Sequence, residues 1–427
     1  MDDNKQLFPI QIHPTCQSKW TWSTLWLRSG TTNSCHRCER QPIPDNFDEF
    51  HNTDHKINER NIMLSGRWPT VANGGSGHCE FCKKVEDVGG TSDRMYQRCI
   101  PGLTPPELND DLTAVSVTPR LLEVFLNNTC NLQCVYCNPR DSSKIYDENT
   151  RFTDESGISV KSFDNSQYGI ISDSELEILI GKYLDWLKRN GHVLKRLHLL
   201  GGETFYQKEF FATLDVLEQI KNPELQLNVV SNFMIAPTRF KKIHERIEKM
   251  IDNGNIGRYD ITSSIDAWGP PGEYARSGLK LDLWEENFSY IAKQPWVTMH
   301  INQTISSLTI KTMPELIEKL NYYRQYNNDI SHQFAMVGGH QYLHPGNFAY
   351  DDMWAADFDK ILNTMMRDGD WRDKEYYQME GFALELQQYK ETNWNQVKDL
   401  HLFLDEIDRR RNTNWKNVFP YLNINEK

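Results

Sequence analysis

Three cysteines fall within eight residues, Cys130-Asn131-Leu132-Gln133-Cys134-Val135-Tyr136-Cys137. Thiolates so spaced can converge on one inorganic centre. A [4Fe-4S] cluster is normally held by four Cys, so three would leave one iron free to take another ligand. Zinc is the alternative, although it prefers four ligands in a closed site and no fourth Cys or His stands near Cys137 in the chain. The other six cysteines, Cys16, Cys35, Cys38, Cys79, Cys82 and Cys99, all lie before residue 100. A hairpin through Gly30 and a helix over 54–64 would bring Cys16, Cys35 and the pair Cys79-x2-Cys82 into one four-thiolate site. Cys38 competes with Cys35 there, and Cys99 is expected to be a plain thiol. Spacing does not separate a cluster from zinc at this second site.

The residues around the triplet say how it is positioned. The apolar run 121–126 reads as a strand, and the polar Asn127-Asn128-Thr129 ends it, so the thiols stand on the loop at a strand's carboxyl end. Barrel folds put chemistry there. The next strand, 194–200, ends in Gly201-Gly202-Glu203: two glycines allow close backbone approach, and the carboxylate can accept from an ammonium group. Between them, Ser172 and Glu175 form a capping box for an amphipathic helix to 190. Strands at 225–230, 259–265, 297–304 and 331–336 then alternate with helices at 210–220, 238–251, 282–292 and 313–322. Six such units predict an α/β fold of parallel strands, a partial (β/α)6 TIM-type barrel. The stretch 139–171 is a long loop, of a length usual in lids.

Residues 20–28 suggest a further strand in a Cys-rich, turn-rich segment, 1–100; 101–120 has the Pro and Gly content of a linker. The barrel occupies 121–345. From 346 to 427 the chain reads as a helical cap whose many aromatics are core rather than cofactor contacts. A net charge of −12 argues against a broad phosphate-binding surface, which disfavours nucleic acid partners. No apolar run approaches a membrane span and no basic, apolar leader opens the chain, so a cytoplasmic location with reduced thiols is expected.

Cys-x3-Cys-x2-Cys together with the downstream Gly-Gly-Glu resembles the radical S-adenosylmethionine (radical SAM) superfamily. That resemblance implies a [4Fe-4S] cluster on Cys130, Cys134 and Cys137 and S-adenosylmethionine chelated by the free iron. The cofactor is then cleaved reductively to methionine and a 5′-deoxyadenosyl radical that abstracts hydrogen from a substrate. It further implies that Gly201, Gly202 and Glu203 hold the methionine amino group, that Ser231 and Asn232 reach the ribose, that Tyr136 contacts adenine, and that Ser264, Asp266 and Arg276 belong to a Ser-Ile-Asp…Arg pattern binding ribose or carboxylate. The N-terminal region resembles a twitch domain, a shortened SPASM domain, through Cys16, Gly30 with Cys35, the 63–69 stretch, and Cys79-Glu80-Phe81-Cys82 followed by Glu86, Gly89, Gly90, Ser92 and Arg94. It implies an auxiliary [4Fe-4S] cluster on Cys16, Cys35, Cys79 and Cys82, used for electron transfer. Such domains usually follow the barrel, whereas this one precedes it. The implied partners are a peptide or protein substrate and a reductant such as flavodoxin or ferredoxin. A methylthiotransferase, a non-catalytic iron-sulfur or zinc scaffold, and an adenosyl-dependent nucleic acid methylase stand as alternatives.

Overall fold

A computed structural model describes residues 15–97, 115–367 and 370–424. Cys99 and most of the linker expected at 101–120 lie outside the described residues. A short helix, Gln17–Thr21, leads into β1 (Trp22–Trp26); β2 (Thr31–Asn33) and β3 (Gln41–Pro42) follow, each antiparallel to the strand before it. Gly30 makes the turn between β1 and β2 in the left-handed region, φ 62°, where a side chain would be strained. Helix Asp54–Leu64 then closes this segment, with the Thr53 side chain accepting from the Lys56 N–H.

The larger unit starts at β4 (Leu121–Phe125), after which β5 (Gln133–Cys134) lies within the cysteine loop. Five more strands run parallel to β4: β6 (Arg196–Leu200), β7 (Gln226–Ser231), β8 (Arg258–Ser264), β10 (Val297–Ile305) and β11 (Ser331–Met336). Between β8 and β10, the two-residue β9 (Arg276–Ser277) pairs with β5. Helices Asp173–Asn190, Lys208–Leu217, Pro237–Asp252, Leu281–Ile291 and Met313–Arg324 fill the crossovers. The capping box of Ser172 and Glu175 is present at the first of them.

The six parallel strands stand in chain order, the pattern of an open (β/α)6 partial barrel. Their buried positions alternate, as in Leu227 and Val229 or Met299 and Ile301, and pack against helix faces carrying Phe240, Ile247, Trp284 and Phe288. Each such side chain taken out of water contributes roughly 1.5–3 kcal/mol. The order of the sheet adds what the spacing of elements did not convey: β1 lies parallel to β4, with Trp22 opposite Leu121 and Trp26 opposite Phe125. The N-terminal hairpin is thus bonded to the barrel sheet as its continuation, giving nine strands in the order β11-β10-β8-β7-β6-β4-β1-β2-β3.

The C-terminal helices Ala355–Thr364, Asp370–Leu386 and Trp394–Arg411 cover the other end of the sheet. Trp354, Phe358, Phe403, Trp415 and Phe419 are buried there with Ile305, Ile310, Met313 and Phe334 of the barrel, so these aromatics are core. Among the described residues no helix is long and apolar enough to cross a membrane.

Candidate functional site

The cysteine loop is pinned at several points. Cys134 pairs across β5–β9 with Arg276, and the Val135 N–H donates to the Ala275 carbonyl at 2.8 Å. From the C-terminal helix, Arg411 donates to the Gln133 carbonyl at 2.7 Å and to both carboxylate oxygens of Glu148 at 2.9 and 3.0 Å; both side chains are buried. The lid, expected as loop, contains helix Ser143–Arg151, which carries Glu148. His340, beyond β11, lies 3.1 Å from the Tyr136 carbonyl and 2.8 Å from the Tyr342 hydroxyl. Arg411 and His340 were not anticipated. A basic run at a helix end and a loop histidine carry no local signal, since each acts on residues far away in the chain.

Gly201 and Gly202 are there because two loops touch. A Cβ on Gly202 would lie 2.5 Å from the Thr129 carbonyl oxygen, and one on Gly201, φ 153°, would lie 2.6 Å from that of Asn127. The strand ends of β4 and β6 can approach only with glycine at both positions. At the end of β7, Ser231 and Asn232 lead into Phe233, which adopts φ 61° although it is not glycine. The Asn232 side chain fixes that turn by accepting from the Met234 N–H at 2.8 Å.

These loops enclose one cavity of about 280 Å³ at the carboxyl ends of the parallel strands, lined by Cys130, Cys134 and Cys137 with Tyr136, Gly201, Gly202, Ser231, Asn232, Ser264 and Arg276. It is near the lower end of small-ligand pockets. A second cavity of about 440 Å³ shares Tyr136 and Asn138 with it, and is walled by the lid, the loop 338–342 and helix Trp394–Arg411.

Glu203 and Asp266 stand behind the first cavity rather than on its lining. The Glu203 carboxylate accepts from the Ser231 hydroxyl at 2.7 Å, the Asn232 N–H at 2.6 Å and the Phe205 N–H at 3.1 Å. Burial nevertheless pushes its pKa up to about 7. Asp266 accepts from Arg276 at 2.9 Å, from the Thr304 N–H at 2.9 Å and from the Tyr136 hydroxyl. Arg276 in turn lies 3.7 Å from the Cys134 sulfur. Burial raises all three loop thiols, Cys130 to about 12, so they stay protonated until something replaces their protons.

At the N-terminal segment, the Cys35 and Cys38 sulfurs are 3.4 Å apart, and Cys38 also bonds Cys79. Cys16 is buried beside them. Cys82, half-buried on helix Glu80–Asp87, makes no described thiol contact. Cys38, which competes with Cys35 on spacing, contacts both Cys35 and Cys79, whereas Cys82 has no described contact with them. Cys38 is held well below the usual thiol range, first by the bond from Cys35 and then by that from Cys79. Lys19, fully buried, donates to the Cys38 sulfur at 2.9 Å and pairs with Glu59.

Among the described residues no three His, Cys, Asp or Glu side chains already converge to hold a metal ion. The loop thiols instead satisfy neighbours, Cys130 accepting from the Leu132 N–H at 3.5 Å and Cys137 donating to the Asn138 carbonyl at 3.7 Å. The fit to a metal centre lies in the donors: soft sulfurs grouped on a cavity wall in one place and against one another in the other, as iron-sulfur and zinc chemistry require.

No family model matches the chain, and no curated protein matches it. Among solved structures it is similar to native anSMEcpe with bound AdoMet, at 17% identity over 64% of this chain and 63% of that one, with a TM-score of 0.35. It is also similar to Streptococcus suis SuiB bound to precursor peptide SuiA, at 12% identity over 96% of this chain and 76% of that one, with a TM-score of 0.34. The chain therefore spans less than two thirds of the first structure's length.

Proposed function

We propose that the chain is a radical SAM enzyme whose substrate is a peptide or protein side chain. The observation that supports this most is the shared cavity: Cys130, Cys134 and Cys137 line it together with Gly201, Gly202, Ser231, Asn232, Ser264 and Arg276, at the carboxyl ends of the strands. When bound, a [4Fe-4S] cluster with S-adenosylmethionine supplies the reductive cleavage that yields a 5′-deoxyadenosyl radical. Cys130, Cys134 and Cys137 would hold that cluster as thiolates. Arg276, already anchored by Asp266, offers its guanidinium to a carboxylate. Glu203 acts from behind: ionised, it attracts an ammonium group and keeps Ser231 and Asn232 turned as ribose contacts. Tyr136 and Asn138 form the boundary with the larger polar cavity, where the substrate group lies under the lid. The N-terminal thiols would hold an auxiliary metal centre, and a [4Fe-4S] cluster there would supply electron transfer with an external flavodoxin or ferredoxin as reductant.

Anaerobic reconstitution tests this. About eight irons per chain, four for each cluster, with 5′-deoxyadenosine released on reduction in the presence of S-adenosylmethionine, is the expected result. About four irons with the same product would keep the enzyme and make the auxiliary centre zinc. A reducible, fully loaded protein that neither binds nor cleaves S-adenosylmethionine would overturn the reading.

A further inference from the structure

The thiols of the N-terminal segment come from three separate pieces of chain. Cys16 precedes helix Gln17–Thr21, Cys35 and Cys38 sit on the turn after β2, and Cys79 precedes helix Glu80–Asp87. Asn33 shapes the turn by donating to the carbonyls of Cys35 and Cys38 at 2.8 and 3.3 Å. Cys16, Cys38 and Cys79 are each under a tenth exposed.

The charge around them is out of balance. Lys19, Lys56 and Arg60 are buried in this segment, and Glu59 pairs with Lys19. Lys56 donates to Ser23, Thr32 and the Phe50 carbonyl; Arg60 donates to Asn52, His51 and the carbonyls of Lys19 and Val115. Neither has a carboxylate among its described partners, and Arg94 is already paired with Glu86. Buried positive charge left unmatched is costly, so the segment favours a negative counterpart. Four thiolates around a divalent zinc, or around an oxidised [4Fe-4S] core, leave a net negative charge, the thiol protons still held leaving to solvent on binding.

We propose that Cys16, Cys35, Cys38 and Cys79 are the four ligands of the N-terminal metal centre, with Cys82 outside it, and that Lys19, braced by Glu59, is its positioning cation through the Cys38 sulfur. This rests on the reading that these thiols hold metal at all. Lys19 then does for the centre what an outer hydrogen bond does for any metal ligand: it fixes the orientation of one sulfur and stabilises its charge.

The test uses the full chain with Cys130, Cys134 and Cys137 all changed to Ala, so that only the N-terminal metal remains, and counts iron, sulfide and zinc. Cys82→Ser is expected to keep the parent's metal, whereas Cys16→Ser and Cys38→Ser lose it. Metal lost from a folded Cys82→Ser, or kept in Cys38→Ser, overturns the ligand set. A folded parent with neither metal overturns the centre itself. Lys19→Met gives the second readout. If the metal is a cluster, its midpoint potential moves negative and Lys19→Arg returns it toward the parent's; if it is zinc, its affinity in chelator competition falls roughly 10–100-fold. No change in either property removes Lys19 from the proposal.

Discussion

Cys130, Cys134 and Cys137 look into a cavity beyond the carboxyl end of β4, whereas Cys16 and Cys79 pack with Leu121 at the amino end of the same strand. A five-residue strand separates the two ends by on the order of 15–20 Å. The first group has three sulfurs and open space; the second has four sulfurs packed with charged side chains. Metal sites follow the same division, closed where the metal is structural or passes electrons, open where a ligand must reach it. One sheet thus carries both groups of thiols, because β1 continues it past β4.

The sharpest way to break this contrast is Cys134→Ala. We expect it to abolish iron binding at the open site and all 5′-deoxyadenosine release, while the N-terminal metal stays; a loss of both metals would mean that the two groups form one unit. Next in size is Arg411→Met, which leaves Glu148 buried without its ion-pair partner at a cost of about 3–5 kcal/mol. Thermal unfolding should report that loss and iron analysis a looser open site, with the N-terminal metal unaffected; adding Glu148→Leu should recover much of the stability.

The smallest effect concerns pH. The Glu203 carboxyl sits near 7, above its ordinary 4.5, because burial disfavours the ion. The folded protein without ligand therefore holds this proton more firmly than the unfolded chain does. This group's contribution to stability is greatest below about pH 4.5 and declines up to about 7. Binding an ammonium group demands the carboxylate, so S-adenosylmethionine affinity should fall about tenfold per unit below pH 7. Equilibrium binding across pH checks this, and Glu203→Gln should bind weakly with no such slope.

Much of the barrel was legible because its signals are local. The capping box at Ser172, the helix at 54–64 and the six apolar runs each declare themselves within a few residues. The cavity lining was legible too, since the residues sit where strands end. What escaped depended on distance. Trp22 gives no sign that it will lie opposite Leu121. Cys38 and Cys82 each close a Cys-x2-Cys pair, so spacing treats them alike; the turn held by Asn33 and the reach of Lys19 separate them. The type of Glu203 is legible, but not that it accepts from the Asn232 N–H at the end of another strand.

The clasp between Arg411 and the cysteine loop also has a meaning in time. Gln133 and Arg411 are 278 positions apart, so the ribosome completes the loop long before it makes the residue that braces it. Until helix Trp394–Arg411 has emerged and docked, Glu148 lacks its charged partner, with only the Gln133 amide donating to it among the described residues, and the loop lacks one wall. The braced loop accordingly belongs to the finished fold rather than to the growing chain, and a nascent protein displays its three thiols before their wall is built.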